Sequence, residues 1–415
     1  MLFPNTQKLN LLNSKSGRAL TAFAFYFAEG APIGFIWWAM PTLLRQTGVG
    51  VDVIGTFTAI LVLPWVFKFL WAPLIDIFRS TRYGYKSWIA ISQIFMCLTL
   101  LPLIFIPIEN NVMLWAGLLF LHSLCAATQD VSVDALVINT VADDEKGIFN
   151  GYMQAGMLLG RGLFGGGTLI FISIIGLQLT IALMVLVILN IMILLLFIKE
   201  SATLMDEQKL LSSFKTNLKE TFLSKQTWYT LAFALTAAAA FEVAGSMAGP
   251  FLTDKGIDES SIGYFFGFPV TISTLIGGIA GGFLSDKIKR KKALLYFLCG
   301  FVFMIVLISL IGILNKDVPA YTWLSLFTGM YFFVGMFTSS SYALFMSITN
   351  PKLGATQFST FMAATNACES WAVWTAGLIV VRTNYNSAFT IMCFVSLFSL
   401  FFLRKIKPNN ISLAS

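Results

Sequence analysis

Charge is scarce in this chain. Only 11% of its 415 residues are Asp, Glu, Lys or Arg, whereas 57% are hydrophobic and the mean hydropathy is +0.80. A soluble domain of this length could not stay dispersed with such a surface, so the composition predicts a protein that crosses a membrane many times. The net charge of +7 does not indicate a nucleic-acid partner, because the basic residues lie in short segments between apolar spans, where they set membrane orientation.

Motifs for several other functions are missing as well. The five cysteines share no metal-ligand spacing and His122 is the single histidine, so we expect no metal and no cofactor. The sequence has no Walker A loop, no row of voltage-sensing arginines and no filter sequence, which argues against an ATP-driven pump and against a channel. His122 and Ser123, as neighbours on a helix, point to different faces. We therefore expect no enzyme; for His122 itself, a proton relay and a core histidine bonded to a backbone carbonyl both remain open.

Twelve apolar segments are long enough to span a bilayer. They run over roughly 18–43, 53–76, 87–108, 112–140, 147–173, 177–198, 227–252, 260–285, 292–314, 320–348, 355–381 and 386–404. The polar stretch 199–226 has amphipathic spacing and is predicted to be a cytoplasmic surface helix that links two six-helix halves, 1–198 and 227–415. Glycines recur in the fifth and eighth of these spans, 147–173 and 260–285, which indicates close helix packing.

The basic residues fix the predicted orientation. With the N-terminus inside, 21 of the 27 Lys and Arg residues lie in cytoplasmic segments, four lie in outer loops, and Lys68 and Arg161 lie within spans. This bias predicts that both termini are cytoplasmic.

The two halves also resemble each other. Pro41, Gly48 and Gly55 in the first half match Pro250, Gly256 and Gly263 in the second, with the same interval between the two glycines. Parallel similarity of two six-span halves is the plan of two repeats about an axis along the membrane normal. The predicted fold class is therefore an all-α membrane protein with two six-helix bundles.

The loop after span eight reads GFLSDKIKRKK from Gly282. It resembles the signature of the major facilitator superfamily, although Lys289 replaces the second glycine, and a weaker copy in the first half ends at Asp76. The resemblance implies a secondary transporter with the major facilitator fold, in which this loop latches the two halves. The latch residues would be Asp76, Asp286, Lys287 and Arg290.

Three further stretches narrow the resemblance. LPWVFKFLWAPLID (63–76), TQDVSVDA (128–135) and GATQFS (354–359) are similar to the branch that holds the AmpG muropeptide permeases, siderophore importers and acetyl-CoA transporters, and residues 30–49 look closer to the siderophore importers. The resemblance implies a monomeric symporter in the lipid of a bacterial inner membrane that imports a siderophore-like or related organic solute together with a proton. An AmpG-like muropeptide permease is the alternative, and a transporter-like sensor is the alternative from another class.

Charges inside the spans are candidate functional groups because a charge in lipid needs a partner or water. Lys68, Asp130 and Asp134 all lie about 9–15 Å from the cytoplasmic face at 1.5 Å per residue. The two aspartates are four residues apart and share one side of a helix. We predict that Lys68 pairs with one of them, either as a static bridge or as a protonatable gate.

Four other charges, in spans one, five, seven and eleven, lie nearer the midplane. They are Glu29, Arg161, Glu242 and Glu369, with Tyr26, Gln154, Asn366 and Trp371 as polar or aromatic neighbours that line the predicted cavity. Groups at this depth serve substrate or proton handling. Glu29 is the first candidate for proton coupling, and Arg161 either clamps an anionic group of the solute or neutralises Glu29.

Overall fold

The computed structural model describes residues 10–77, 84–108, 111–141, 145–200, 223–314, 318–348 and 354–406. These residues form twelve long helices. In chain order they are α1 (Lys15–Gln46), α2 (Val51–Leu70), α3 (Lys86–Ile104), α4 (Val112–Thr140), α5 (146–175), α6 (177–197), α7 (Lys225–Asp254), α8 (Glu259–Ser285), α9 (Arg290–Leu314), α10 (Ala320–Ile348), α11 (Gly354–Arg382) and α12 (Tyr385–Lys405). The linker helix predicted over 199–226 lies outside the described residues, apart from its two ends.

The lengths of these helices suit a bilayer. Ten helical stretches in the described part of the chain are long and apolar enough to cross one, and one of them, Phe149–Phe197, has 49 residues. At 1.5 Å per residue that stretch is about 74 Å long, more than twice the roughly 30 Å hydrocarbon core. Gly176 interrupts it with a φ of 82°, which separates α5 from α6. The 29 residues of α11 also suffice, although polar residues such as Glu369 lower its hydropathy, so the prediction of twelve spans is confirmed.

By their contacts the residues group into two units. The first comprises Met1–Ile36 and Leu70–Leu210, and the second comprises Trp37–Phe69 and Leu211–Ser415. The end of α1 and nearly all of α2 thus pack with the second half of the sequence. The boundaries predicted for the two halves, 1–198 and 227–415, stay a prediction.

Glycines bring α1 and α5 into backbone contact within the first unit. Each helix carries two glycines four residues apart, and a β-carbon on any of them would overlap the backbone of the other helix. The pairs are Gly30 with Met157, Gly34 with Arg161, Gly156 with Phe23, and Gly160 with Phe27. This spacing places all four glycines on the facing sides of the two helices. Close packing is therefore confirmed for these glycines of span five.

Glycines also bring two pairs of helices in the second unit into close contact. Gly277 and Gly281 of α8 lie against the backbone of α10, which confirms the predicted packing of span eight. Gly55 of α2 and Gly377 of α11 lie against each other's helices, so α2 and α11 also meet at close range.

Several spans depart from regular α-helix. In α1 the helix widens to a π-turn at Phe35–Ala39, a few residues after Pro32, whose ring nitrogen cannot donate a backbone bond. The predicted span over 53–76 is present, but it is not one regular helix. The α-helix ends at Phe67, a 3-10 turn follows at Lys68–Leu70, and a short separate helix covers Ala72–Ile77. Pro73 explains the break, because a regular helix would need its missing N–H to bond residue 69.

Candidate functional site

Tyr26 joins the two aspartates of α4 to α1 inside the first unit. The Tyr26 hydroxyl lies 3.0 Å from Asp130 Oδ1 and also forms a hydrogen bond with Asp134 Oδ1. Tyr26 is 5% exposed and Asp130 is 6% exposed. Both carboxyls meet the same hydroxyl, which confirms that residues 130 and 134 share one side of their helix. The neighbouring Gln129 fixes the register of the two helices, because its Nε2 donates to the Phe25 carbonyl at 3.0 Å.

This arrangement can hold a proton. A tyrosine hydroxyl has one hydrogen and can donate it to one carboxylate only. The other carboxyl makes a good hydrogen bond to the same oxygen when it is itself protonated and donates. With one carboxyl protonated, that carboxyl donates to the Tyr26 oxygen while the Tyr26 hydroxyl donates to the other carboxylate, so all three groups are hydrogen-bonded with little movement of heavy atoms.

Glu29 lies one turn beyond Tyr26 on α1. Its side chain is 1% exposed, so the predicted coupling residue is buried within the first unit. Residues three apart are neighbours on a helix, which places Glu29 and Tyr26 on the same side of α1. Arg161 is partly buried at the end of the regular part of α5, directly before a π-turn at Gly162–Gly166, and its backbone packs on Gly34. Gln154, in contrast, is exposed on α5.

The predicted gate residues are placed as follows. Lys68 is partly buried and opens the 3-10 turn at which α2 breaks. The side chains of Asp76 and Asp286 lie outside the described residues. Lys287 Nζ lies 4.3 Å from the centre of the Phe283 ring, and Arg290 donates to the Ala343 carbonyl at 3.3 Å, which ties the start of α9 to α10. Pairing of Lys68 with an aspartate and the latch role of Asp76 and Asp286 stay predictions.

In the second unit, α7 is broken at Ala238, just before Glu242. Its regular stretches are Lys225–Ala237 and Ala239–Asp254. A break of this kind frees backbone groups that must find other partners. The Trp371 indole donates to the Leu235 carbonyl at 2.9 Å, and the Ala240 N–H donates to the Ser396 hydroxyl at 2.9 Å. Trp371, predicted as a cavity residue, thus also stabilises the irregular backbone beside Glu242.

The span α11 carries the remaining predicted residues. Asn366 Nδ2 donates to the Trp65 carbonyl at 3.3 Å, which joins α11 to α2 three residues before the 3-10 turn at Lys68. Glu369 is partly buried on the same helix. Beside them, a cavity of ≈ 310 Å³ lies between α2 and α11 and is bordered by Trp371 and Trp374. This cavity is open to the surface, because Trp374 is 48% exposed.

His122 is fully buried between α3 and α4. Its Nδ1 lies 3.1 Å from the Met96 carbonyl oxygen and 3.1 Å from the Thr99 hydroxyl. A carbonyl oxygen only accepts, so Nδ1 carries the hydrogen in that bond. This is the contact that the core interpretation of His122 predicts.

Outside the spans, Glu145 ties the start of α1 to the start of α5. Its carboxylate lies 2.8 Å from Lys15 Nζ and 3.5 Å from an Arg18 nitrogen. The hydrogen bond with Lys15, together with the positive charges of Lys15 and Arg18, lowers the pKa of Glu145 below its ordinary value. The ion pairs hold the ends of the two closely packed helices together.

A second ion pair was not singled out from the sequence. Arg45, at the end of α1, binds Asp254, at the end of α7, through two hydrogen bonds of 2.7 and 2.8 Å. A usable signal existed, because Arg45 follows Pro41 by four residues and Asp254 follows Pro250 by four. Equivalent positions of the two repeats therefore carry opposite charges.

The comparisons with known proteins decide the family. The family model described as Major Facilitator Superfamily matches residues 19–373. This chain belongs to the Major Facilitator Superfamily. The protein is thus a secondary transporter, as predicted, and its family is not one of enzymes. Its fold agrees with this major facilitator assignment: a D-xylose–proton symporter superposes with a TM-score of 0.75 at 12% identity, covering 94% of this chain and 97% of that one.

Two relatives indicate the branch of major facilitators. The chain is 24% identical over 405 residues to the Putative transporter AmpG 4 of Rickettsia conorii, covering 94% of this chain and 96% of that protein. It is also 24% identical over 354 residues to the Anhydromuropeptide permease of Escherichia coli K12, covering 81% of this chain and 69% of that one. The predicted resemblance to the AmpG branch is confirmed.

Proposed function

We propose that this transporter carries an organic solute of the anhydromuropeptide type into the cell together with a proton, across a bacterial cytoplasmic membrane. The observation that carries the proposal is the Tyr26 hydroxyl held between Asp130 and Asp134. Ionisable groups inside a bilayer cost free energy, so their presence favours a function that uses their protons. Two carboxyls around one exchangeable hydrogen suit a transporter driven by a proton gradient.

The solute class rests on the relatives. The protein from Escherichia coli is named for anhydromuropeptides, and the one from Rickettsia conorii carries the AmpG name over nearly the whole chain. The similarity of residues 30–49 to siderophore importers points to a different solute. It covers twenty residues only, so we place the anhydromuropeptide first and keep the siderophore as the competing prediction.

We assign different steps to the two acidic sites of the first unit. Glu29, at the predicted midplane, binds the coupled proton when the solute binds, because alternating access requires a titratable group near the solute. Asp130 and Asp134 lie nearer the predicted cytoplasmic face, and Tyr26 connects them to the α1 face that carries Glu29. The proton leaves through this cluster. Arg161 in the first unit, and Glu242 and Glu369 in the second, stay candidate charges for binding the solute.

Counterflow in proteoliposomes tests the solute. Purified protein is reconstituted in vesicles that are loaded with unlabelled solute, and the entry of labelled solute is followed without any pH gradient. We expect exchange of an anhydromuropeptide and none of a ferric siderophore. Exchange of the siderophore alone would refute the proposed solute class and leave the transporter assignment intact.

The proton roles are tested in the same vesicles. Glu29→Gln should abolish accumulation driven by a pH gradient while exchange continues, and Asp130→Asn should slow both directions of net flux. Asn139→Ala, at an exposed position of α4, is the matched control and should behave as wild type. If Glu29→Gln still concentrates the solute under a pH gradient, Glu29 is not the coupling site.

A further inference from the structure

Helices α9 and α12 are joined at the end that the charge bias places in the cytoplasm. Lys291, in the first turn of α9, donates from its Nζ to the Arg404 carbonyl at 3.0 Å and to the Ile406 carbonyl at 2.9 Å, at the end of α12. Lys405 lies between these two acceptors in the sequence, Lys292 directly follows the donor, and both side chains are exposed. The contact therefore brings two exposed lysines to neighbouring positions on the two helices.

The first repeat makes the same contact. Lys86, at the start of α3, donates from its Nζ to the Ile198 carbonyl at 3.0 Å, directly after α6. Ile198 and Ile406 are both buried at the first residue after their helices, so they occupy equivalent positions. The sequence reads IKE at residues 198–200 and IKP at residues 406–408, which aligns the two repeats residue by residue.

A carboxylate completes this contact in the first repeat. Glu200 accepts hydrogen bonds from the backbone N–H groups of Tyr85 at 2.9 Å and Lys86 at 2.6 Å, which places a negative charge at the start of α3. The position that matches Glu200 in the second repeat is Pro408. Neither α9, nor α12, nor the chain after α12 contains an Asp or Glu. In the second repeat, these segments therefore supply the basic residues of the contact without a carboxylate side chain to balance them.

Each of the two exposed lysines lies at the end of a stripe of exposed side chains. On α9 the stripe follows Lys292 at four, seven and eleven residues, and on α12 it precedes Lys405 at the same intervals. These intervals place each stripe on one side of its helix. The members are Tyr296, Cys299 and Phe303 on α9 and Phe401, Phe398 and Phe394 on α12, and the aromatic ones are 52% to 68% exposed.

The stripes have the length of one bilayer leaflet. Eleven residues at 1.5 Å each span about 16 Å, and half of the hydrocarbon core is about 15 Å. Lys405 Nζ lies 5.9 Å from the centre of the Phe401 ring, so the positive charge lies where the apolar stripe begins. A basic end followed by one leaflet of aromatic surface matches a molecule with an anionic head and apolar tails.

We propose that this face of α9 and α12 binds one anionic phospholipid of the leaflet on the predicted cytoplasmic side. The phosphate lies between Lys292 and Lys405 and supplies the negative charge that Glu200 supplies in the first repeat. The acyl chains lie along the two stripes. Lysines at the cytoplasmic ends of spans attract anionic headgroups, and zwitterionic lipids lack the net charge that this contact needs. The proposal concerns the lipid and holds for any solute or coupling ion.

Native mass spectrometry of the full chain in detergent measures the lipid affinity. Phosphatidylglycerol and phosphatidylcholine with identical acyl chains are titrated separately, so that the headgroup is the only difference between them. The first phosphatidylglycerol should bind more tightly than phosphatidylcholine. Lys292→Gln and Lys405→Gln should each weaken it about fivefold, and the double variant about 25-fold, at the usual contribution of a lysine near an anionic headgroup.

A matched control and a crosslinking experiment locate the site. Lys225→Gln removes an exposed lysine at the start of α7, at the same predicted end, and should leave the affinity unchanged. Phosphatidylglycerol with a photoreactive acyl chain should crosslink to peptides that contain Tyr296 or Phe398. Equal affinity for the two lipids, a double variant that binds as tightly as Lys225→Gln, or crosslinks confined to other helices would overturn the inference.

Discussion

Alanine substitutions at two glycines of α5 should differ in their effect on stability. A β-carbon at Gly156 would overlap the Phe23 carbonyl of α1, whereas a β-carbon at Gly151, on the same helix, meets nothing within 4 Å. Both substitutions gain about 0.5–1 kcal/mol from the better helix propensity of alanine. Overpacking adds a cost of about 1–3 kcal/mol at Gly156 only. Gly151→Ala should therefore be neutral or stabilising, and Gly156→Ala destabilising.

Thermal unfolding in detergent measures this difference. Unfolding of a large membrane protein is often irreversible, so the midpoints must be compared at one scan rate. We expect the midpoint of Gly156→Ala to lie a few degrees below that of Gly151→Ala, and its transport to fall because α1 carries Tyr26 and Glu29. Equal midpoints for the two variants would refute the packing argument.

Three further predictions concern the charged groups. Tyr26→Phe removes the hydroxyl that contacts both Asp130 and Asp134. Since a hydrogen bond to a charged group is worth about 1.5–3 kcal/mol, pH-driven accumulation should fall roughly tenfold or more while exchange persists; wild-type accumulation would contradict the proton cluster. Glu145→Gln should lower the unfolding midpoint at pH 7 but not at low pH. The lowered pKa of Glu145 means that its carboxylate stabilises the fold at neutral pH, and this stabilisation is lost as the pH falls through that pKa. An equal loss at both pH values would show that the carboxylate charge is irrelevant. Asp286→Asn should slow turnover with solute affinity retained, and a large loss of binding with normal cycling would place Asp286 in the solute site instead.

The elements that follow from local sequence rules were predictable. Twelve apolar runs gave twelve spans, and the spacing of Asp130 and Asp134 placed both on one side of α4. Glycines four residues apart marked the contact faces of α5 and α8. Each of these features depends on residues close together in the chain, so periodicity and length were sufficient.

Other features depend on partners far away in the sequence. The break at Ala238 lies in a run of alanines, the best helix formers, and no local signal marks it. It persists because Trp371 and Ser396, more than 100 residues later, bond the freed backbone. The ion pair of Arg45 with Asp254 spans 209 residues and is visible in the sequence only when the two repeats are aligned through their prolines. The break at Lys68, in contrast, has a local cause in Pro73. The continuous apolar character of residues 53–76 gives no sign of this break.

Concentrative uptake is the most direct test of the central claim. Proteoliposomes with an alkaline interior are given labelled anhydromuropeptide outside, with and without a protonophore. The account predicts accumulation above the external concentration that collapses when the protonophore is added and is absent from Glu29→Gln vesicles. Uptake that only equilibrates, or that is indifferent to the protonophore, would contradict proton-coupled import.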